Sequence, residues 1–160
     1  MFIIFIILLA AIISFSRKRI AENAISKYDN EILIVKGGGD QLDSLTLKEI
    51  RKMGSTKKTI ELNNGLEKTE IEGISLEKVI GKLNYNLRDK SVMIVEDNDG
   101  NIKRMSVSSA LEPDRVYLVF KINNTPLYDL APSYGNLALI DTTLDTTTSW
   151  ITDVKTIDIE

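Results

Sequence analysis

Short apolar runs and alternating apolar and polar positions dominate the chain beyond residue 31, and they predict strands. The strongest run is residues 115–122, RVYLVFKI, which is rich in β-branched and aromatic side chains. Asn64-Gly65 and Asp99-Gly100 each separate two such runs and are typical of tight antiparallel turns. The predicted strands cover residues 30–36, 58–63, 67–71, 91–95, 102–107, 115–122, 137–140 and 149–159.

Two short helices are predicted between these strands. The sequence TLKE from Thr46 to Glu49 is a capping box, in which each of these two side chains satisfies a free backbone N–H of the other residue. Gly54 then ends the helix. Ser75 is predicted to cap a second helix over residues 76–83, whose apolar side chains share one face. Because strands outnumber helices, we predict an α+β fold with a mixed, mainly antiparallel sheet.

The N-terminus has a different pattern. Residues 1–16 carry no charged side chain, and Arg17-Lys18-Arg19 follows them directly. A helix of 16 residues is about 24 Å long at about 1.5 Å per residue, and snorkelling of the basic side chains would extend its reach across a bilayer. We therefore predict an uncleaved single-pass anchor over residues 1–19, a tether over residues 20–31 and one domain over residues 32–160.

Composition supports a folded domain and argues against one class of partner. Hydrophobic residues make up 43% of the chain and charged residues 27%, which is enough apolar surface for a core. The formal net charge is −3, and removing the three positive charges of residues 17–19 leaves −6 for residues 20–160. Nucleic acid is therefore not expected as a partner, because phosphate binding needs a basic face.

The absence of two residue types restricts the chemistry most. The chain contains neither cysteine nor histidine. This absence excludes thiolate and imidazole metal sites, a disulfide framework, a Ser-His-Asp triad and a cysteine nucleophile. Any catalysis would depend on carboxylates, lysines, hydroxyls or a cofactor, so we expect no metal site formed by the usual side chains.

Three local motifs have a structural and a functional interpretation each. Residues 37–40, GGGD, are interpreted as a flexible connector, since they lack the lysine and spacing of a phosphate-binding loop. Ser75-x-x-Lys78 is interpreted as a helix cap, because the companion motifs of serine β-lactamases are absent. Residues 97–101, DNDGN, form a turn between strands and lack the glycine and glutamate positions of an EF-hand.

Two further features each allow a structural and a functional interpretation. The basic residues near the first helix form either a solvated face or a contact with anionic lipid headgroups; they are Lys48, Arg51, Lys52, Lys57 and Lys58. Trp150, the only tryptophan, follows a threonine-rich stretch and is predicted to open the last strand. It is either a core anchor or a ligand-stacking side chain.

The order of several segments resembles the oxidoreductase molybdopterin-binding domain, which has the sulfite-oxidase-like fold. The matching segments begin with LTLKEI at residues 45–50 and GISLEKVI at residues 73–80. They continue with the strand ending at Phe120, NNTPL at residues 123–127, GNLALI at residues 135–140 and Trp150. The resemblance covers nearly all of residues 32–160 and rests on order and spacing.

The resemblance also implies groups that this sequence lacks. Members of that family hold molybdenum through a cysteine after the second strand, where this chain has residues 59–65, TIELNNG, without sulfur. The family's basic residue falls near Ala138 and its proline at Asn136. We therefore expect a degenerate member, a pseudoenzyme that keeps the fold and binds without redox catalysis. We expect no cofactor, and molybdopterin enters by resemblance alone.

By position in the resemblance, the rim of a surviving cleft would include Asn63, Asn64, Tyr134 and Asn136. Tyr134 would stack on a flat ligand and the amides would hydrogen-bond it. Two alternatives remain: a molybdopterin-dependent oxidoreductase without a cysteine ligand, and a structural module that binds a partner protein of the bacterial cell envelope. The resemblance favours an extracytoplasmic domain, whereas the Arg17-Lys18-Arg19 flank favours a cytoplasmic one.

Overall fold

The structure of the protein is a computed structural model that describes residues 13, 14, 16, 19, 20 and 23–160. Most of the predicted anchor over residues 1–19 therefore lies outside the described residues. Within the described part of the chain, no helix combines the length and the apolar character needed to cross a membrane.

Ten strands and four short α-helices follow one another along the described domain. The strands are β1 Ile32–Gly37, β2 Asp40–Thr46, β3 Thr56–Leu62, β4 Glu67–Ser75, β5 Val92–Asp97, β6 Ile102–Ser106, β7 Val116–Ile122, β8 Thr125–Pro126, β9 Ala138–Asp141 and β10 Val154–Ile159. The α-helices are α1 Leu47–Lys52, α2 Leu76–Lys82, α3 Val107–Ala110 and α4 Leu127–Leu130, and 3-10 turns span Pro132–Tyr134 and Thr147–Ser149.

These strands form two sheets. The first sheet has the order β2-β1-β10-β5-β6, and the second has the order β3-β4-β7-β8, with β9 also paired to β7. The pairing of β1 with β10 is parallel, and the other strand pairings of the described domain are antiparallel. The fold is thus mixed α+β with short helices, as the apolar pattern predicts.

Apolar side chains gather in two clusters that lie on opposite faces of the second sheet. The central core joins both sheets with helices α1 and α2, and it includes Leu33, Ile50, Val79, Phe120 and Ile157. The outer cluster covers the other face of the second sheet, and it includes Ile60, Ile71, Val119, Leu127 and Trp150. Strand β7 contributes to both clusters, which explains why all seven of its residues are buried.

A β-bulge in β7 changes which face its last residues occupy. Between the pairs Glu72–Lys121 and Gly73–Val119, Phe120 is an extra residue on β7. A bulge breaks the alternation of faces, and here Phe120 lies in the central core while Ile122 joins the outer cluster. The bulge also explains Gly73, because a Cβ there would overlap the carbonyl oxygen of Leu118 and lie 2.9 Å from Cα of Val119.

Three sequence expectations are corrected by the structure. Residues 40–46, expected to lead from a connector into the helix, form strand β2, which pairs with β1 through a tight glycine turn. Ser75 occupies the N-cap position of α2, but its hydroxyl makes no capping bond; the residue is the buried last residue of β4. Trp150 precedes the last strand, since β10 begins at Val154 after a left-handed Asp153.

Part of the predicted tether packs against the domain. Ile25 is buried in the central core, and Tyr28 packs beside it. The Tyr28 hydroxyl donates to Oδ1 of Asp129 at 2.7 Å, and the Lys27 ammonium lies 2.8 Å from the same oxygen. Residues 25–31 therefore form part of the folded unit.

Candidate functional site

The outer cluster is covered by irregular backbone, and this is where the site candidates lie. Side chains of β3, β4 and β7 that point away from the central core form its floor. Residues 127–136 and 142–150 lie over them through α4 and two 3-10 turns, while β9 belongs to the sheet itself, beside β7. Loops pack on a sheet less regularly than strands or long helices do. This cover therefore leaves cavities between its loops and the second sheet.

One cavity of about 310 Å³ lies beside Tyr134 and Trp150, and we call it the Trp150 cavity. Trp150 is only 6% exposed, and its indole Nε1 has no hydrogen-bond partner among the described residues. A buried N–H without a partner is costly unless water or a ligand satisfies it. The cavity is lined by Leu62, Glu67, Thr69, Ile122, Asn123, Leu130, Ala131, Tyr134, Thr147 and Trp150.

The two aromatic rings of this cavity are held by backbone contacts. Their centroids lie 6.3 Å apart at an interplanar angle of 65°, an edge-to-face arrangement. The Asp153 amide donates to the Tyr134 carbonyl oxygen at 2.8 Å, and the Trp150 amide donates to the Thr147 carbonyl oxygen at 3.2 Å. Gly135 has φ 62° and ψ −156°, a conformation essentially restricted to glycine, and it turns the chain directly after Tyr134.

A larger groove of about 670 Å³ lies near the β3–β4 turn, and we call it the Lys58 groove. The Lys58 ammonium donates to the Asp114 carbonyl oxygen at 2.7 Å and to Oγ1 of Thr142 at 3.0 Å. These bonds tie the loop before β7 to the loop after β9. The groove is lined by Lys58, Thr59, Ile60, Glu61, Asn64, Gly65, Glu112, Pro113, Asp114, Arg115, Thr142, Thr143, Leu144 and Asp145.

Ion pairs and hydrogen bonds around the Lys58 groove shift several pKa values. Burial acts to raise the pKa of Asp141, but hydrogen bonds from Arg115 and Thr143 hold it below its ordinary value. Burial raises the pKa of Tyr117, and its hydrogen bond to Asp114 adds to that shift. The same bond is the main cause that lowers the pKa of Asp114, so this carboxylate stays charged in its contact with Lys78.

The four predicted rim residues do not meet at one cavity. Tyr134 lines the Trp150 cavity, and Asn64 lines the Lys58 groove. Asn63 lines neither; its amide nitrogen donates to Oε2 of Glu67 at 3.1 Å and so holds a carboxylate of the Trp150 cavity. Asn136 donates to Oε2 of Glu31 at 3.0 Å, and its buried Oδ1 has no partner among the described residues.

The predicted basic patch is divided between three places. Lys48, Arg51 and Lys52 line a third cavity with Lys121, near α1. Lys58 lies in the Lys58 groove, where its ammonium is also 5.0 Å from the ring centroid of Tyr117. Lys57 pairs with Glu70 at 2.8 Å on the exposed edge of the second sheet.

The residues present do not fit the molybdenum cofactor that the family resemblance implies. The chain has no cysteine or histidine, and the region after β3 offers amides and a glycine instead. Over the part of the chain that the structure describes, no three or more Asp and Glu residues are grouped to hold a metal ion. A molybdenum centre would therefore have no thiolate here to anchor it.

Comparison with known proteins agrees with this fold at a distance. No family model matches the chain, and no curated protein matches it at a significant level. Among solved structures, it is similar to the sulfane dehydrogenase SoxCD from Paracoccus pantotrophus, with a TM-score of 0.60 and 16% sequence identity. The match covers 82% of this chain and 38% of that chain. This similarity supports a distant sulfite-oxidase-like fold, and at this identity it shows the fold alone.

Two functional candidates went unrecognised in the sequence. Arg115 lines the Lys58 groove and donates two hydrogen bonds to Asp141 at 3.1 and 2.9 Å, and nothing in the sequence links these two residues. Lys121 had a visible signal, because it is the only charged residue within the apolar strand that continues to Ile122. A charge in such a run is expensive to bury and indicates a specific partner.

Proposed function

We propose that this chain is a membrane-tethered, non-catalytic binding module on a sulfite-oxidase-like scaffold. Its ligand is a flat, polar-edged small molecule held in the Trp150 cavity. The observation that carries the proposal is Trp150, which lines that cavity and whose buried indole N–H lacks a partner among the described residues. A ring nitrogen or carbonyl oxygen at the edge of the ligand would accept this hydrogen bond.

The walls of the cavity suit such a ligand. Leu62, Ile122 and Ala131 supply apolar contacts, while Glu67, Thr69, Asn123 and Thr147 supply polar groups around them. Tyr134 is half-buried, so its ring has a free part on which a flat ligand would stack. A volume of about 310 Å³ lies at the small end of the range of ligand sites, which favours one or two fused rings.

Loss of catalysis is proposed from the chemistry of the side chains. Redox turnover on this scaffold would need a metal ligand of a kind that the sequence does not contain. The tether is proposed from the apolar residues 1–16 and the basic residues 17–19, which would keep the domain close to a bilayer. The side of the membrane is the extracytoplasmic one in this proposal, by family resemblance.

The single tryptophan allows a direct test of the cavity. In ¹⁵N-labelled full-length protein in detergent micelles, the one indole N–H gives one NMR signal, and we expect 6-hydroxymethylpterin to shift it in a saturable manner. Cyclohexanol, which has no flat ring, should not. Absence of any shift with the pterin probe at millimolar concentration would count against the cavity as a site for flat ligands.

Two variants separate ring stacking from hydrogen bonding by calorimetry with the same probe. Tyr134→Leu should weaken binding about five- to tenfold through lost stacking. Trp150→Phe should weaken it about fivefold through the lost N–H. Tyr128→Leu is the matched control, because Tyr128 is exposed and lies outside the cavity. Equal affinities in all three variants would contradict the proposal.

Two alternatives are each tested by a separate measurement. Stoichiometric molybdenum or tungsten in protein from its native host, measured by mass spectrometry, would favour an oxidoreductase without a cysteine ligand. A stable partner protein that co-purifies from membranes and is released by substitutions in residues 142–149 would favour a structural module of the cell envelope. We expect neither result.

A further inference from the structure

A third cavity lies on the opposite side of the second sheet from the Trp150 cavity, next to α1. Its volume is about 320 Å³, and we call it the Lys121 cavity. It takes no part in the function proposed above. Its lining residues come from the docked N-terminal segment, from α1 and its following turn, and from β4 and β7: Asp29, Lys48, Arg51, Lys52, Ser55, Glu72 and Lys121.

The charges around this cavity are unlike those of the rest of the domain. Its lining contains four cationic side chains and two carboxylates, a balance of +2, whereas residues 20–160 together carry −6. Both carboxylates are already engaged, Asp29 with Arg51 at 2.6 Å and Glu72 with Lys121 at 3.4 Å. Lys48 and Lys52 form no ion pair with any residue that the structure describes.

Lys121 is the most unusual member of this group. It is 3% exposed, and the bulge at Phe120 places it on the face of the second sheet that lines the cavity beside α1. An ammonium has three donors, and within the described structure it meets one carboxylate oxygen, at the long distance of 3.4 Å. Replacing a buried ion pair by apolar residues is often neutral or stabilising, so packing alone does not explain a lysine here.

Arg51 is held in place on the opposite wall. Its Nη1 donates to Oδ1 of Asp29 at 2.6 Å, and both side chains are about four-fifths buried. The structure describes no partner for the remaining edge of the guanidinium, formed by Nε and Nη2. A planar guanidinium fixed by one carboxylate retains donors in the geometry that suits a tetrahedral oxyanion.

We propose that the Lys121 cavity binds a phosphate group. Lys121 and Arg51 would donate to its oxygens from the buried end, and Lys48 and Lys52 would neutralise it from the solvent side. A charge of about −2 on a phosphate monoester near neutral pH matches the balance of the lining. The cavity is larger than inorganic phosphate, so the group would belong to a phosphate monoester, either a soluble metabolite or the headgroup of a lipid.

Lysine footprinting of the full-length protein in nanodiscs tests this proposal. Acetylation of Lys48 and Lys52 by an N-hydroxysuccinimide ester is measured by mass spectrometry, with Lys57 as the internal control outside the cavity. Glycerol 3-phosphate should protect Lys48 and Lys52 in phosphatidylcholine nanodiscs if the source is soluble. Phosphatidic acid in the nanodisc should protect them without added phosphate if the source is a lipid.

Variants connect the protection to the cavity. Lys48→Gln should weaken glycerol 3-phosphate binding about fivefold, and the pair Lys121→Met with Glu72→Gln should weaken it more than about tenfold. Removing both members of the buried pair avoids an unpaired charge, and Lys48→Gln is an exposed change that keeps the fold intact. Lys57→Gln removes the same charge outside the cavity and should leave affinity within about twofold.

Two results would overturn the proposal. The first is that neither glycerol 3-phosphate at low ionic strength nor phosphatidic acid protects Lys48 and Lys52 relative to Lys57. The second is that Lys57→Gln weakens binding as much as the cavity variants do, which would reduce the effect to non-specific attraction by surface charge.

Discussion

The two faces of the second sheet are built from the same strands but serve different purposes. The face toward the central core packs against the first sheet and two helices, and apolar side chains fill it except around Glu72 and Lys121. The other face is covered by residues 127–136 and 142–150, which contain three short elements and no long one. It buries Trp150 with a hydrogen-bonding group left unpaired among the described residues. Regular elements on one face thus provide stability, and the irregular cover on the other provides space for a ligand.

This difference should appear most clearly in the cost of removing an aromatic ring. Phe120 is fully buried in the central core, so Phe120→Ala should lower the free energy of unfolding by about 3–5 kcal/mol. Tyr134 is half-buried above the outer cluster, and Tyr134→Ala should cost less than about 2 kcal/mol. Urea titration followed by circular dichroism measures both values. Equal costs would mean that the cover contributes as much to stability as the core does.

Gly135 is the one point at which the cover should be as sensitive as the core. It has a positive φ, and a Cβ would lie 2.6 Å from Cα of Asp153, so Gly135→Ala should cost about 2–4 kcal/mol. Gly100 also has a positive φ, but a Cβ added there would meet no atom within 4 Å. Gly100→Ala, the matched control, should therefore cost about 1 kcal/mol. Chemical unfolding of both variants measures these costs, and a comparable loss in the two would indicate that strain and not crowding dominates at Gly135.

The two helices that close the central core offer a finer test. Thr46 caps α1 through a complete capping box, and Thr46→Ala should cost about 1 kcal/mol. Ser75 stands at the same position of α2, yet its buried hydroxyl has no partner in the described part of the chain. Ser75→Ala should therefore be neutral or slightly stabilising, since it removes an unsatisfied polar group. Thermal unfolding of both variants checks this, and a clear loss in Ser75→Ala would reveal a partner for that hydroxyl.

The smallest effect is expected in acid, at the edge of the Lys58 groove. Hydrogen bonds keep the folded pKa of Asp141 below its ordinary value of 3.8, so its charged form stabilises the fold at higher pH. That contribution is complete above about pH 3.8 and is lost as the pH falls through the lowered folded pKa. Asp141→Asn should be less stable than the unchanged protein at pH 7, and the difference in stability should shrink below about pH 3.8. Unfolding midpoints measured between pH 7 and pH 2 test this, and a constant difference would exclude the linkage.

Much of the fold was predictable because it depends on local patterns. The strand from Val116 to Ile122 is confirmed, and so is the capping box of α1. Strand β2 was missed because residues 40–46 alternate weakly and are mostly exposed, since the strand forms an edge of its sheet. Such a strand depends on pairing with β1, which no local pattern reports.

The candidate site was much less predictable than the fold. Tyr134 was expected at a cavity and lines one, but Asn64 lines another and Asn136 bonds to the docked N-terminal segment. Residues that are adjacent in the sequence lie on different sides of a turn or a strand. Matching the order of segments to a family therefore does not tell which residues line the same cavity. The Lys121 cavity is lined by both Lys121 and Arg51, although Arg51 lies 70 positions earlier in the sequence.

The sequence by itself determined the class of fold, most of its elements and the chemistry that is excluded. These properties follow from the periodicity of apolar residues and from the complete absence of two side-chain types. Only the tertiary structure decided where charges and unpaired groups are placed. The bulge at Phe120 places Lys121 in the cavity beside α1, and the indole of Trp150, which lies in the loop after β9, is buried in the outer cluster. Both outcomes depend on contacts between distant segments, because burial is a property of the packed molecule and not of any residue alone.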